Sequence, residues 1–171
     1  MKWAELNRKQ IKQVYYLDEH GDGGSFVPEL GVHLIYGGPI LLELEENQWV
    51  SIESDPEREG LSVVASNAQH LDLFQKVHLK GDPIWSRISN KTIKNVIQYP
   101  AQFSFGNVPG NPLKHPARKE ITCSIELVFQ HGERLFISNA EVNEALQLEP
   151  SVVSLVLYTK RAVGIAGGLI S

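Results

Sequence analysis

The chain has 171 residues, 42% hydrophobic, 21% charged and 8% aromatic, the composition of a globular protein long enough to build a core without a metal or disulfide staple. Its 16 Lys and Arg against 20 Asp and Glu give a formal charge of -4; without the basic excess that neutralising a phosphate backbone needs, nucleic acid is set aside as a main partner. The single cysteine, Cys123, allows no internal disulfide, charge follows Met1 at once, and no apolar run nears the roughly 20 residues that span a bilayer, so the reading is cytoplasmic with no membrane span.

In chain order, a short turn carrying Trp3 and Leu6 leads into a strand of the type Ile11-Lys12-Gln13-Val14. The acidic stretch Asp18 to Gly31 reads as a loop. Ile40, Leu42 and Leu44 then alternate with Leu41, Glu43 and Glu45, Glu46-Asn47-Gln48 turns the chain, and Val50 and Ile52 resume the period of two, which predicts a hairpin. Between Asp55 and Ile84 the pattern predicts a strand at Leu61 to Ala65 and leaves Ala68 to Leu79 open between helix and strand.

The same series then begins again. Trp3, Leu6, Lys9, Ile11, Lys12 and Val14 recur as Trp85, Ile88, Lys91, Ile93, Lys94 and Val96, and Ile40, Leu42, Leu44, Asn47, Val50 and Ile52 line up with Ile125, Leu127, Phe129, Gly132, Leu135 and Ile137. The offsets differ by three residues, absorbed in the intervening loop, where insertions are tolerated. After the second hairpin, Ser138-Asn139 as a cap and the helix formers of Glu141 to Leu148 predict a short helix. Ser151 to Thr159 is β-branched and predicts a buried strand. Ala162 to Ser171, apolar and glycine-bearing, reads as an edge strand or a loose tail through which copies could associate. The expected fold is α+β and predominantly β. Two similar β-rich halves from an internal duplication, 1–84 and 85–171, share one core or pack side by side, with short helices.

Catalytic signatures are missing from the sequence. Its six histidines, His20, His33, His70, His78, His115 and His131, include no pair at the spacing of a metal-binding helix, and Cys123 has no cysteine partner, so no metal is expected. Asp18-Glu19-His20-Gly21-Asp22 lacks the alternating oxygens and distal Glu of a calcium loop. The glycine clusters at Gly37-Gly38 and Gly164 to Gly168 lack the lysine and the strand-turn-helix order of a phosphate cradle. No Gly-x-Ser-x-Gly elbow surrounds a serine, and Cys123 sits in an apolar run as a structural thiol. No cofactor and no catalytic residue are assigned.

Two features point to a binding role. Tyr99 to Lys119 holds Pro100, Pro109, Pro112 and Pro116, which rules out a regular helix or central strand and makes a long loop. Phe103 and Phe105 near its start, and Lys114, His115, Arg118 and Lys119 near its end, combine aromatic anchors with cations as an interface does. The alternative is that both phenylalanines pin the loop to the core. Charge is also split: residues 1–84 carry seven cations and fourteen acids, and residues 85–171 nine and six, so the halves are net -7 and +3. Such a dipolar surface can steer a charged partner.

The pattern Trp85, Ile93-Lys94-x-Val96 and Ile125-Glu126-Leu127-Val128-Phe129-Gln130-His131-Gly132-Glu133-Arg134-Leu135-Phe136-Ile137-Ser138 resembles small uncharacterised bacterial proteins, some of them similar to immunity proteins that neutralise toxins of competing cells. It covers roughly a third of the chain, transfers no functional residue, and implies a cytoplasmic binder without catalysis. The expected function is a non-catalytic protein-binding module, immunity-like or accessory, with a protein partner and room for a homo-oligomer. The alternative is a small-molecule binder or an enzyme of another type, with a site between the halves and His33, Tyr36 and His78 turned inward.

Overall fold

The computed structural model describes residues 1–17, 24–55, 60–69, 71–100 and 122–170. It is mostly β, with two antiparallel sheets and few short helices. The first sheet contains β1 (Ile11–Leu17), β4 (Ile40–Leu44), β5 (Trp49–Asp55), β6 (Gly60–Ser66) and β7 (Phe74–Lys76), in the order β6-β5-β4-β1-β7. The second contains β2 (Ser25–Val27), β3 (Val32–Tyr36), β8 (Ile93–Pro100), β9 (Thr122–Phe129), β10 (Arg134–Val142) and β11 (Leu148–Tyr158), in the order β2-β3-β11-β10-β9-β8. One helix, α1 (Arg161–Ala166), follows the last strand.

Alternation decides which side chains meet between the sheets. Val14, Ile40, Leu42 and Ile52 from the first sheet and Ile125, Leu127, Leu135, Ile137, Leu155 and Leu157 from the second form one buried cluster, closed at one end by Trp3 and Trp85. The core therefore draws on both halves of the chain. β3, from the first half, pairs with β11 through Leu155↔Ile35 and Leu157↔His33, and so belongs to the sheet of the second half.

The matched stretches hold matched places in the ladders. β1 pairs with β4 through Ile11↔Leu44 and Val14↔Leu42, with a bulge between Ile11 and Gln13. β8 pairs with β9 through Ile93↔Phe129 and Val96↔Leu127, with a bulge between Ile93 and Asn95. The hairpins share a register, Leu42↔Val50 and Leu127↔Leu135. Their turns place Asn47 and Gly132 at positive φ, 55° and 90°. The segments leading into β1 and β8 meet each other: Gln10 bridges Thr92, the Arg8 N–H donates to Ile93 O (2.7 Å), and the Asn90 N–H donates to Ile11 O (3.2 Å). That exchange of equivalent groups has the form of a local two-fold contact.

Two local expectations are settled differently. The helix over Glu141 to Leu148 is absent: β10 runs to Val142, β11 starts at Leu148, and Val142↔Leu148 closes the ladder between them. Asn143 makes the reversal, its Oδ1 accepting the N–H groups of Ala145 and Gln147, both at 3.0 Å, so an Asx-type turn displaces helical propensity. Ser138 and Asn139 are buried within β10 rather than capping a helix. Ala162 to Ile170 forms neither an edge strand nor a loose tail. α1 folds back, the Leu169 N–H donates to Gly164 O (2.9 Å), and Leu169 and Ile170 are buried on the face of the second sheet opposite the main core. An apolar tail exposed for self-association is thereby removed. The open stretch Ala68 to Leu79 resolves into a single turn at Leu71–Leu73 and β7, which pairs with Tyr15 to Leu17.

Candidate functional site

Because the C-terminal segment covers the second sheet, polar residues that alternate outward along β9 and β10 are buried as well. Glu126 has no exposed surface. The Tyr99 hydroxyl donates to its Oε2 (2.5 Å) and the Arg134 guanidinium to its Oε1 (2.6 Å), so two donors meet a charge that would otherwise be costly to bury. The Arg134 side chain is 48% exposed and carries the pair to the surface. The Arg161 guanidinium stands 5.7 Å from the centre of the Tyr99 ring. Burial, reinforced by the Glu126 carboxylate, pushes the Tyr99 phenol above its ordinary range.

Beside this group Phe136 and Tyr158 stack at 5.1 Å, and the Tyr158 hydroxyl is 2.9 Å from Ser138 Oγ. Burial pushes the Tyr158 phenol up to about 12. Gly164 of α1 lies on that ring, where a Cβ would stand 2.3 Å from the hydroxyl. The Ser124 hydroxyl donates to Leu169 O (3.0 Å) and ties β9 to the terminal segment.

The group lies where β8 ends and β9 begins. Tyr99 is the penultimate residue of β8, and Pro100 pairs with Thr122 at the start of β9, so segment 101–121 leaves and returns at neighbouring strand ends on the rim of the second sheet. Phe103, Phe105, Lys114, His115, Arg118 and Lys119 lie outside the described residues.

The residues expected to line a cleft between the halves do not converge. Tyr36 is 60% exposed, because it stands at the end of β3, and His78 is also exposed. His33 alone is buried. Its Nε2 lies 2.7 Å from Asp82 Oδ2, and its Nδ1 has no partner among the described residues. Tyr16 and Phe26 flank the imidazole, their ring centres 6.0 and 5.1 Å away. Asp82 Oδ1 accepts the N–H groups of Ile84 and Trp85, both at 2.8 Å, which sets the turn that buries Trp85 against the Tyr16 hydroxyl. Burial raises the Asp82 carboxyl, but His33 and those two amides outweigh it and hold it below the ordinary carboxylate range.

Glu126, Tyr99, Arg134 and Asp82 escaped the sequence reading. An acidic residue alternating with Ile125 and Leu127 reads as solvated unless the sheet is covered on both faces, and the cover includes Leu169 and Ile170, far along the chain. Among the described residues no group of three or more His, Cys, Asp or Glu comes together, and no helix is long and apolar enough to cross a membrane. Comparison with family models, curated proteins and solved structures returned no match.

Proposed function

We propose that the chain is a non-catalytic protein-binding module, immunity-like or accessory, acting in a bacterial cytoplasm, with its contact face at the β8–β9 end. The observation that carries the reading is the Pro100↔Thr122 pair, which holds both ends of the proline-rich, cation-bearing segment 101–121 side by side on a rim anchored by Tyr99, Glu126 and Arg134. A rigid scaffold bearing a long connecting segment is a common way to present a binding surface. The buried polar groups at this rim use their bonding capacity on one another, which suits a scaffold better than a reaction centre. Phe103 and Phe105 serve as anchors, and Lys114, His115, Arg118 and Lys119 supply charge for an acidic partner. We also attribute the matched ladders, bulges and turns of the two halves to an internal duplication.

The test is affinity capture in parallel with a variant neutralised at Lys114, Arg118 and Lys119. A stoichiometric protein retained by the parent and lost by the variant supports the module; equal capture by both overturns the assigned face. One observation favours a second reading: the buried Nδ1 of His33 lacks a partner among the described residues and offers a polar contact to a small molecule. A compound screen read by melting temperature, repeated with His33→Phe, separates the two, because stabilisation that depends on His33 belongs only to the second.

A further inference from the structure

On the first sheet Val14, Ile40, Leu42, Val50 and Ile52 fill the core, so alternation sends Tyr15, Leu41, Glu43, Trp49 and Ser51 to the opposite face. The ladders set those residues in rows. Val64, Ser51, Leu41, Tyr15 and Lys76 lie side by side from β6 to β7, and Ser66, Trp49, Glu43 and Gln13 form the next row. The face meets solvent: Val64 is 43% exposed, and Lys76 is exposed as well.

Tyr15 and Trp49 stand on the strands to either side of β4, one row apart, and their rings meet at 5.6 Å with a tilt of 42°. The pair bridges β4 on the outer face, and neither ring belongs to a fully buried residue. Glu43 lies directly across from Trp49. Burial first, and then the Glu43 carboxylate to which its hydroxyl donates, push the Tyr15 phenol above its ordinary range. A carboxylate accepts at both oxygens, so the phenol leaves capacity on Glu43 for a further donor. Glu45 and Glu46 continue the acidic run into the turn, while Lys76, across from Tyr15, is a cation on the same face.

An aromatic surface edged by carboxylates is complementary to a guanidinium, which stacks on rings and presents parallel donors to a carboxylate. An ammonium has the charge without the plane. From the aromatic pair and the charge beside it we infer that this face docks an arginine side chain from a basic segment of a partner protein. The guanidinium lies on the Tyr15–Trp49 pair and donates to Glu43. This contact goes beyond the binding-module reading: it lies on the first sheet, faces away from the second, and takes a charge opposite to the one assigned to the β8–β9 rim.

The tryptophans supply the readout, because Trp3 and Trp85 are 8% and 0% exposed and Trp49 alone borders solvent. The full chain is titrated with a capped peptide alternating glycine and arginine, with matched lysine and glutamate peptides, and with maltotriose as a neutral stacking ligand. Indole N–H signals are followed by nuclear magnetic resonance. The arginine peptide is expected to shift the Trp49 signal saturably and to leave those of Trp3 and Trp85 in place. The lysine peptide is expected to bind about tenfold more weakly, and the glutamate peptide and maltotriose to leave the Trp49 signal unchanged. Glu43→Gln keeps an acceptor for the Tyr15 hydroxyl but removes the charge, and is expected to weaken the arginine peptide about tenfold. The shifts in the unsubstituted protein do not depend on that variant's folding. No saturable shift at Trp49, equal binding of the lysine or glutamate peptide, or equal binding of maltotriose overturns the inference, as does an unchanged affinity in Glu43→Gln.

Discussion

Gln10 and Thr92, the same position in two matched stretches, form a bridge with each other. Neither half is complete beyond that contact, because β2 and β3 depend on β11 and the buried cluster draws on both sheets. A fragment of residues 1–84 is therefore expected to lack a cooperative thermal transition by near-ultraviolet circular dichroism, whereas the full chain unfolds in one step. Two separate transitions in the full chain would contradict this.

The Glu126 group predicts a non-additive pair. Arg134→Met leaves the buried carboxylate with the Tyr99 hydroxyl alone and is expected to cost about 1–3 kcal/mol in urea unfolding. Adding Glu126→Gln removes the orphaned charge and should recover much of that loss. Additive losses would mean that the two side chains act independently.

Gly164 tests the seating of α1. A methyl at this position would stand 2.3 Å from the Tyr158 hydroxyl and 2.8 Å from the ring, so Gly164→Ala must lift the helix or turn the ring. The expected cost is about 1–3 kcal/mol, with faster amide exchange at Leu169, whose N–H bonds to Gly164 O. Unchanged exchange at Leu169 would contradict the close approach.

The turns at the two hairpins predict opposite responses. Glu46 and Asn47 both hold positive φ, 60° and 55°, a strained arrangement that asparagine followed by glycine relieves. Glu46→Asn combined with Asn47→Gly should stabilise the chain by about 1 kcal/mol in thermal unfolding. At the corresponding Gly132, where φ is 90°, alanine should destabilise it. A gain at both sites would rule out this account.

Asp82 makes stability depend on pH. Its carboxyl is held below the ordinary value of 3.8 in the folded chain, so its contribution is present above that value and is lost as pH falls through the lower folded one. Asp82→Asn should therefore unfold more easily at neutral pH and show a smaller fall in stability on acidification below about pH 4. Parallel losses in both proteins would exclude Asp82 as a source of the acid sensitivity.

Much of the strand pattern was legible because period-two alternation and turn residues are local. The hairpins at Ile40 to Ile52 and Ile125 to Ile137 stand where that alternation puts them, Leu61 to Ala65 lies within β6, and the β-branched run from Ser151 lies within β11, as its composition predicts. Glu141 to Leu148 misled because helical propensity is also local, while the Asn143 turn is held by the pairing of β10 with β11. The burial of Glu126 depends on Leu169 and Ile170, far along the chain, and no short window contains both. For His33 and Asp82 the separation is again long, and only the β3–β11 pairing brings the imidazole to the turn before Trp85.

The pairing of Val32 with Tyr158 sets an order of events during synthesis. At about 5–20 residues per second, a ribosome takes on the order of 6–25 s to make the chain between those two positions. Throughout that interval β3 has only the short strand β2 beside it, and its other edge is open. The nascent chain therefore offers an unpaired strand that disappears once β11 arrives. The central ladder of the second sheet forms late, and Leu169 and Ile170, which seal its outer face, emerge after it.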